Sequence, residues 1–291
     1  MLNSRSSIRR AAGSATAVAC RAVGRRNVVR ASRFVLYRAR LDVQNDLRTN
    51  GELSLQRWIL ELPRAGPELD VIDVGANIGR WSTAMLFAAE QAGRLNDLRL
   101  HAFEPSSYTF ALLSEALAGH RVRMHQAALS DRLGSAALYV TAPGAGTNSL
   151  HAPHGVDSPA ETVVTTTLDS YAEQVGLNTV TLIKIDAEGH DLAVLRGARE
   201  LFAKQRISVA QFEYNHRWVY ARAFLRDAFE LLEPHGYTLG KLSPRGVEFY
   251  PGWEPELETF VEGNYVACAS QAVRRLPSVV WWKAAKRGAA R

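Results

Sequence analysis

The most constraining feature of the sequence is a short apolar run that ends in a glycine-containing turn. Residues 69–74 read LDVIDV and residues 75–79 read GANIG. A run of this length predicts a buried strand, and Gly75 and Gly79 allow the backbone to bend sharply into a following helix. Because glycine has no Cβ, a ligand can approach such a turn closely. The segment therefore predicts a strand–turn–helix unit with a binding site at its turn.

Strand and helix patterns alternate along most of the chain. We predict strands at 69–74, 98–103, 122–129, 180–185 and 207–212, and helices at 53–62, 81–92, 108–118, 169–175, 191–202 and 224–232. This alternation favours an α/β fold with a doubly wound, mainly parallel sheet of the Rossmann-like type. Strand patterns at 135–140 and 162–168 bracket a polar loop and predict an inserted β-hairpin. Further patterns near 237–242, 248–250 and 265–269 predict an antiparallel C-terminal strand.

Two acidic residues end the first two predicted strands. Asp73 precedes the glycine turn, and Glu104 lies 25 residues beyond Gly79. The turn lacks the spacing GxGxxG, and a nearby acid disfavours a pyrophosphate ligand. Asp73 can instead accept the ammonium group of an aminoacyl sulfonium ligand, and Glu104 can accept two ribose hydroxyls. The pair favours S-adenosylmethionine, whereas in the alternative Asp73 only caps the next helix and Glu104 is a surface acid.

Further contacts to this ligand are expected in the turn and after the third strand. Besides Asp73 and Glu104, the predicted cofactor-binding residues are Gly75, Ala76, Asn77, Gly79, Ser130 and Asp131. The third strand should end beside the adenine ring, where Asp131 can accept the adenine amino group. The alternative is that Ser130 and Asp131 only form a turn.

Four segments occur in an order that resembles the FkbM family of methyltransferases. They are residues 72–79 (IDVGANIG), 103–105 (FEP), 182–189 (LIKIDAEG) and 194–198 (VLRGA). The similarity covers about residues 70–240, and KIDxEG is its most specific part. It implies a class I methyltransferase fold, S-adenosylmethionine as donor, and methylation of a hydroxyl oxygen, typically on a sugar of a glycolipid or polysaccharide or on a natural product. His190-Asp191 departs from the family pattern, so the resemblance supports no role for His190.

A hydroxyl acceptor needs a group that removes its proton within hydrogen-bond reach. Our candidates for this base are, in order, Asp186, Glu188, Glu213 and His190, all near the ends of two neighbouring predicted strands. Two alternatives remain open: Glu188 can cap the following helix, and His190 can be a surface histidine. These side chains are compatible with Mg²⁺. Their spacing specifies no metal, however, and none is predicted.

The loop at residues 144–151 is expected to cover the cofactor and to contact the acceptor. The side chains of Asn148 and Ser149 suit a polyol, and Trp218 and Tyr220 are candidate stacking faces for a sugar ring. The alternative is a loop that is only flexible.

Charge is distributed unevenly along the chain. Residues 1–41 contain 10 arginines and no acid, residues 272–291 contain 6 basic residues and no acid, and the segment between them has 19 basic and 29 acidic residues. We therefore predict a basic, partly helical extension at 1–50, a methyltransferase domain at 51–271 and a basic tail at 272–291. An acidic body argues against a nucleic-acid-binding domain, whose folded module would itself be basic.

The basic ends suit an anionic membrane surface. Residues 28–39 place arginines on one side of a helical wheel and apolar residues on the other. No stretch is apolar enough for a transmembrane helix, so we expect a cytoplasmic protein that attaches peripherally to the inner membrane face. Two alternatives stay open: solvated ends, and an organellar transit peptide. Two cysteines, Cys20 and Cys268, form no disulfide framework.

The sequence leaves two other functions open. One is a non-catalytic protein that binds S-adenosylmethionine as a scaffold, which the intact acids at 73, 104, 186 and 188 disfavour. The other is a nicotinamide-dependent oxidoreductase, which the missing GxGxxG disfavours.

Overall fold

The computed structural model describes residues 2–40, 46–62, 68–141, 146–152 and 160–280. The chain divides into two compact units, Met1–Val43 and Gln44–Arg291. The first unit consists of helix α1 (Leu2–Val23) and helix α2 (Arg25–Ala39). Among the described residues, no helix combines the length and the apolar character needed to cross a bilayer.

The second unit contains the predicted alternation of helices and strands. Its helices are α3 (Glu52–Glu61), α4 (Arg80–Gln91), α5 (Ser107–Ala116), α6 (Leu168–Val175), α7 (Asp191–Arg196), α8 (Arg199–Ala203), α9 (Leu225–Leu232) and α10 (Ser270–Val273). Its strands are β1 (Leu69–Val74), β2 (Leu98–Phe103), β3 (Val122–His125), β4 (Ala128–Leu129), β5 (Gly134–Leu138), β6 (Glu161–Thr166), β7 (Val180–Ile185), β8 (Ile207–Tyr214), β9 (Tyr237–Ser243), β10 (Gly246–Phe249) and β11 (Gly263–Ala269).

Eight strands form the central sheet in the order β10-β9-β11-β8-β7-β1-β2-β3. β3, β2, β1, β7 and β8 are parallel, whereas β11 pairs antiparallel with both β8 and β9. The doubly wound, mainly parallel sheet and its antiparallel C-terminal strand are thus confirmed. The chain order reverses between β1 and β7, and ligands of such sheets bind at the carboxyl ends of the strands beside this switch point.

A small second sheet has the order β4-β6-β5, in which β5 and β6 form the predicted antiparallel hairpin. The single strand predicted at 122–129 is wrong. Its first part pairs with β2, whereas Ala128 and Leu129 pair with β6, so the chain changes sheets between β3 and β4. The helix predicted at 191–202 is also two helices. They separate near Gly197, where a Cβ would overlap the carbonyl oxygen of Ser130.

Hydrophobic cores cover both faces of the central sheet. Ile72 and Val74 of β1 pack in the cluster that includes α6, α7, α8 and α9, whereas Leu69 and Val71 pack in the cluster that includes α3 and α4. This division follows from the alternation of side chains along a strand. A strand buried on both faces reads as a nearly continuous apolar run, which is the pattern at residues 69–74.

The folded unit continues past the predicted boundary at residue 271. Ala272 and Leu276 are buried, and Val247 of β10 exchanges backbone hydrogen bonds with Pro277 and Val279. The beginning of the predicted basic tail is therefore part of the second unit. Residues 281–291 of that tail lie outside the described residues.

Candidate functional site

The glycine turn after β1 is held between the ends of β2 and β7. Gly75 has a φ of +71°, and a Cβ there would overlap the backbone carbonyl oxygen of Asp186. Gly75 and Ala76 both donate backbone hydrogen bonds to the carbonyl oxygen of Phe103. Gly79, with a φ of +81°, precedes α4. The close contact with β7 requires glycine at position 75, because any side chain would push the two strand ends apart.

Glu104 is fixed in orientation by two backbone amides. One carboxylate oxygen accepts a hydrogen bond from Asn77 N at 3.0 Å, and the other accepts one from Ser106 N at 3.0 Å. Burial raises the pKa of Glu104 to about 7. An ionised carboxylate has about four acceptor positions, so Glu104 keeps acceptor capacity for further donors.

A cleft opens at the carboxyl ends of β1, β2 and β7. Its apolar wall includes Phe103, Leu129 and Leu138. Of the residues predicted as functional from the sequence, the cleft is lined by Gly75, Asn77, Glu104, Asn148, Asp186, Glu188 and His190. A mostly apolar cleft with a few convergent polar groups is the usual form of a small-molecule site.

Asp73 lies behind the wall of the cleft. It is completely buried and pairs in register with Lys184, whose Nζ lies 3.2 Å from Asp73 Oδ1. Ser82 Oγ donates to the other carboxylate oxygen at 2.7 Å. Asp73 is therefore not part of the cleft lining, and its predicted contact with the ammonium group of the cofactor stays a prediction. The register of β1 and β7 supplies Asp73 with an ammonium group from the protein itself.

Lys184 connects three parts of the site. Besides Asp73, its Nζ lies 3.4 Å from Asp186 Oδ2 and donates a hydrogen bond to Gly75 O at 3.2 Å. The neighbouring carboxylates raise the pKa of Lys184, although burial opposes them. Lys184 therefore stays charged and ties the glycine turn to the strand end that presents Asp186.

Ser130 and Asp131 are not among the lining residues, and Ala127, Ala128 and Leu129 line the cleft in their place. Ser130 is buried, and its Oγ donates to Asp131 at 3.2 Å and pairs with His190 Nε2 at 2.9 Å. Asp131 is exposed. Because β4 pairs with β6 rather than with β2, the chain after Leu129 does not continue the central sheet.

Three carboxylates meet beside the cleft. Asp186, Glu188 and Glu213 each bring one oxygen within 4.8 Å of the others, which is close enough to share one divalent cation. Arg217 Nη1 lies 2.5 Å from Glu188 Oε2 and places a positive charge at this cluster. Burial and the charge of Asp186 raise the pKa of Glu188 to about 8. The same two causes raise the pKa of Glu213.

One alternative role for Glu188 was to cap the following helix, α7. In the described part of the chain, no side chain caps α7, whose N-cap residue is His190. The Asp191 carboxylate instead accepts backbone hydrogen bonds from Gly189 N at 3.1 Å and from Ala187 N at 3.4 Å, in the turn that precedes the helix. Burial, followed by the charge of Asp186, raises the pKa of Asp191 to about 7. The capping alternative for Glu188 is therefore wrong. Asp191 is not among the site residues predicted from the sequence, although an acid in the first turn of a predicted helix is a common sequence signal.

His190 connects two loops and is not a free base. Its Nε2 pairs with Ser130 Oγ, and its Nδ1 lies 3.1 Å from His151 Nε2. Burial lowers the pKa of His190 to about 4. Both ring nitrogens lie within hydrogen-bond distance of protein partners, and the lowered pKa makes the imidazole a weaker base than a free histidine. The role of His190 as a base stays a prediction.

The predicted acceptor contacts fall into two groups. Asn148 lines the cleft, whereas Ser149 is buried and donates its hydroxyl hydrogen bond to Glu188 O at 2.8 Å. Trp218 has no exposed surface, and its Nε1 donates to Glu213 O at 2.9 Å. The prediction of Trp218 as a stacking face is therefore wrong, because the indole packs in the core. Residues 144 and 145 of the predicted loop lie outside the described residues.

The cleft fits S-adenosylmethionine in its chemistry. Glu104 presents an oriented carboxylate for ribose hydroxyls, and Gly75 lines the cleft without a side chain. The side-chain oxygens of Asn77 and Asn148 are buried and have no hydrogen-bond partner among the described residues. Buried acceptors of this kind cost free energy until a donor reaches them. The ligand's ammonium and adenine amino groups are donors of the required type.

Comparison with known proteins identifies the family. The family model for the methyltransferase FkbM domain matches residues 73–239, more than half of the chain. The chain belongs to the FkbM methyltransferase family. Its fold is the class I methyltransferase fold, and its methyl donor is S-adenosylmethionine. A search of curated proteins finds no significant match.

Solved methyltransferase structures show a weak similarity to the FkbM chain. A precorrin-6y C5,15-methyltransferase from Geobacter metallireducens has 14% identity and a TM-score of 0.38, over 75% of this chain and 87% of that one. The plantazolicin methyltransferase BpumL has 10% identity and a TM-score of 0.39, over 75% and 82%. Aeropyrum pernix fibrillarin has 10% identity and a TM-score of 0.37, over 74% and 73%. Sequence identities and TM-scores this low carry no information about the acceptor.

Proposed function

We propose that this FkbM protein transfers a methyl group to a hydroxyl oxygen of a sugar carried by a glycolipid, a polysaccharide or a glycosylated natural product. The observation that carries the proposal is the meeting of Asp186, Glu188 and Glu213 beside the cofactor cleft. Carboxylates accept hydrogen bonds from several hydroxyls at once, so this cluster suits a polyol acceptor. One of them can also take the proton that the reacting hydroxyl loses.

The donor end of the cleft holds the cofactor through few residues. Glu104 would accept hydrogen bonds from the ribose hydroxyls, and Asn77 and Asn148 would offer their unpaired side-chain oxygens to donors of the cofactor. When bound, S-adenosylmethionine supplies an electrophilic methyl carbon. The protein's task is then to place the acceptor oxygen in line and to remove its proton, and positioning alone supplies much of the rate.

Asp186 is our first choice for the base. Its side chain is 32% exposed and lines the cleft, whereas the Glu188 side chain is 13% exposed and pairs with Arg217. When the acceptor oxygen takes the methyl group, the methyl–sulfur bond of the donor would break and S-adenosylhomocysteine would leave, while the proton of the acceptor oxygen would move to the Asp186 carboxylate. Lys184 holds that carboxylate in place from behind. Glu188 and Glu213 then orient the remaining hydroxyls of the acceptor.

The deciding experiment combines labelled methyl transfer with binding measurements. Purified protein is incubated with methyl-labelled S-adenosylmethionine and extracted lipid, polysaccharide and natural-product fractions, and mass analysis locates the label in the product. A label on a sugar oxygen supports the proposal, and a label on carbon or nitrogen overturns it. Repeating the transfer with a chelator tests whether the carboxylate cluster needs a cation.

Asp186→Asn separates catalysis from cofactor binding. We expect turnover to fall by at least about a hundredfold, as for loss of a general base, while calorimetry with S-adenosylhomocysteine shows nearly unchanged affinity. Glu115→Gln, at an exposed acid of α5 outside the cleft lining, is the control and should keep both properties. Full turnover by Asp186→Asn would exclude Asp186 as the base. Binding without turnover on any fraction would favour the non-catalytic scaffold instead.

A further inference from the structure

We propose that the two-helix unit formed by α1 and α2 binds the surface of an anionic lipid bilayer. The argument uses only this unit, so it is independent of the acceptor proposed above. Its starting point is charge: residues 1–41 contain 10 arginines and no acidic residue. The segment therefore has a large net positive charge. A short helical unit with such a charge attracts a polyanionic surface.

Helix α2 also carries an apolar stripe. The stripe consists of Val28, Val29, Val35 and Leu36. These are two adjacent pairs seven residues apart, a spacing that places them on one side of the helix. Val29 is 50% exposed, Val35 64% and Leu36 46%, and α2 contains no buried residue. A soluble helical pair would normally bury such a stripe. Here the largest apolar side chains of α2 stay open to solvent.

Three arginines of α2 point away from the middle of the stripe. At 100° per residue, Arg26, Arg30 and Arg33 lie about 100–160° around the helix from that middle, and all three are exposed. Helices with this division lie in the interface of a bilayer, with the apolar side among the acyl chains and the basic side at the headgroups. Nucleic acid would use the arginines but would leave the apolar stripe in water. The combination therefore favours an anionic bilayer.

Vesicle sedimentation with the full-length protein tests the proposal. The protein is mixed with vesicles of phosphatidylcholine alone, or of phosphatidylcholine with phosphatidylglycerol. We expect binding to the mixed vesicles only, weakening as salt rises because screening reduces the attraction. Equal binding to both vesicle types, or to neither, would overturn the proposal.

Two sets of variants separate the contributions of charge and apolar surface. Replacing Arg26, Arg30 and Arg33 by Gln should weaken binding about a hundredfold, at about fivefold for each arginine near the headgroups. The control replaces three exposed arginines of the second unit by Gln, namely Arg121, Arg199 and Arg222, and should bind like the parent. Equal loss in both sets would mean that only net charge matters, and it would overturn the assignment to α2.

The second set changes the stripe without changing charge. Val29→Ser, Val35→Ser and Leu36→Ser together should weaken vesicle binding at least about tenfold, since each removes buried apolar area. Phe87→Ser, at a 62% exposed phenylalanine of α4, is the control and should have no effect. Competition with a short duplex RNA completes the test. If the stripe variant keeps vesicle binding and the RNA competes fully, the unit is a general polyanion site and the proposal fails.

Discussion

The ammonium group of Lys184 lies 3.2 Å from the carboxylate of Asp73, and both side chains are buried in the central sheet. The pair forms because the two residues lie opposite one another in β1 and β7. It places a fixed positive charge directly behind the glycine turn and beside Asp186. A buried pair of this kind adds little net stability, but removal of one partner leaves an uncompensated charge. Its role is therefore to position the site.

Lys184→Met should be strongly destabilising. It leaves Asp73 buried without its cation, and we expect the free energy of unfolding to fall by about 3–5 kcal/mol in urea denaturation. Lys204→Met is the matched control, because Lys204 forms an exposed pair with Glu200 and should cost less than about 1 kcal/mol. Adding Asp73→Asn to Lys184→Met should recover part of the loss. Additive effects of the two changes would mean that they do not interact.

Gly75→Ala tests the contact between the turn and β7. The new methyl group would overlap the backbone oxygen of Asp186, so we expect affinity for S-adenosylhomocysteine to fall at least about tenfold and the protein to lose stability. Gly176→Ala is a close control, since its φ of +69° matches that of Gly75 while its Cβ would meet open space. Both substitutions place a non-glycine residue at a positive φ, which costs about 1–2 kcal/mol. Only the contact with Asp186 O therefore distinguishes them. Equal affinities in calorimetry would remove the role assigned to Gly75.

Trp218→Phe should affect stability rather than acceptor binding. It removes the hydrogen bond that Trp218 Nε1 donates to Glu213 O, at a cost of about 0.5–1.5 kcal/mol. Tyr220→Phe, at a 42% exposed side chain, should change stability by less than about 0.5 kcal/mol. The KM for the acceptor found by labelled transfer should match that of the parent in the Trp218 variant. A raised KM at unchanged stability would restore Trp218 as an acceptor contact.

The central part of the site could be predicted from the sequence because its signals are local. The apolar run, the glycine turn and the position of Glu104 at a strand end all lie within single βα units. Parallel strands bring their carboxyl ends to one edge of the sheet, which is why Asp186 was expected near Glu104. The structure places both in one cleft.

The features of the site that could not be predicted from the sequence depend on contacts between distant segments. The pairing of Asp73 with Lys184 follows from the register of β1 and β7, which no local pattern specifies. The burial of Trp218 depends on its packing against Phe212 and Tyr214. His190 looked like a free base because its partners, Ser130 and His151, come from other loops. In each case, a polar or aromatic group near a strand end contacts other residues of the protein.

The stability of the ligand-free protein should depend on pH. Glu104, Glu188 and Asp191 have pKa values raised to about 7, 8 and 7, mainly by burial. In the unfolded chain the pKa values of these groups are near 4.5 or below. At any pH between those values and the folded pKa values, the folded chain binds more protons than the unfolded chain. The free energy of unfolding must then fall as pH rises, by up to about 1.4 kcal/mol per pH unit for each extra proton.

A histidine whose pKa is lowered in the folded protein has the opposite effect on the pH dependence of stability, but only at lower pH. His190 titrates near 4 when folded and near 6.5 when unfolded, so it removes stability as pH falls below 6.5. From pH 6.5 to 8 the carboxyl groups should dominate, and urea denaturation should show decreasing stability. Asp191→Asn should make this decrease shallower, whereas Glu115→Gln, at an exposed acid of α5, should leave it unchanged. A stability that rises over this pH range would show that these carboxyl groups are already ionised in the folded protein.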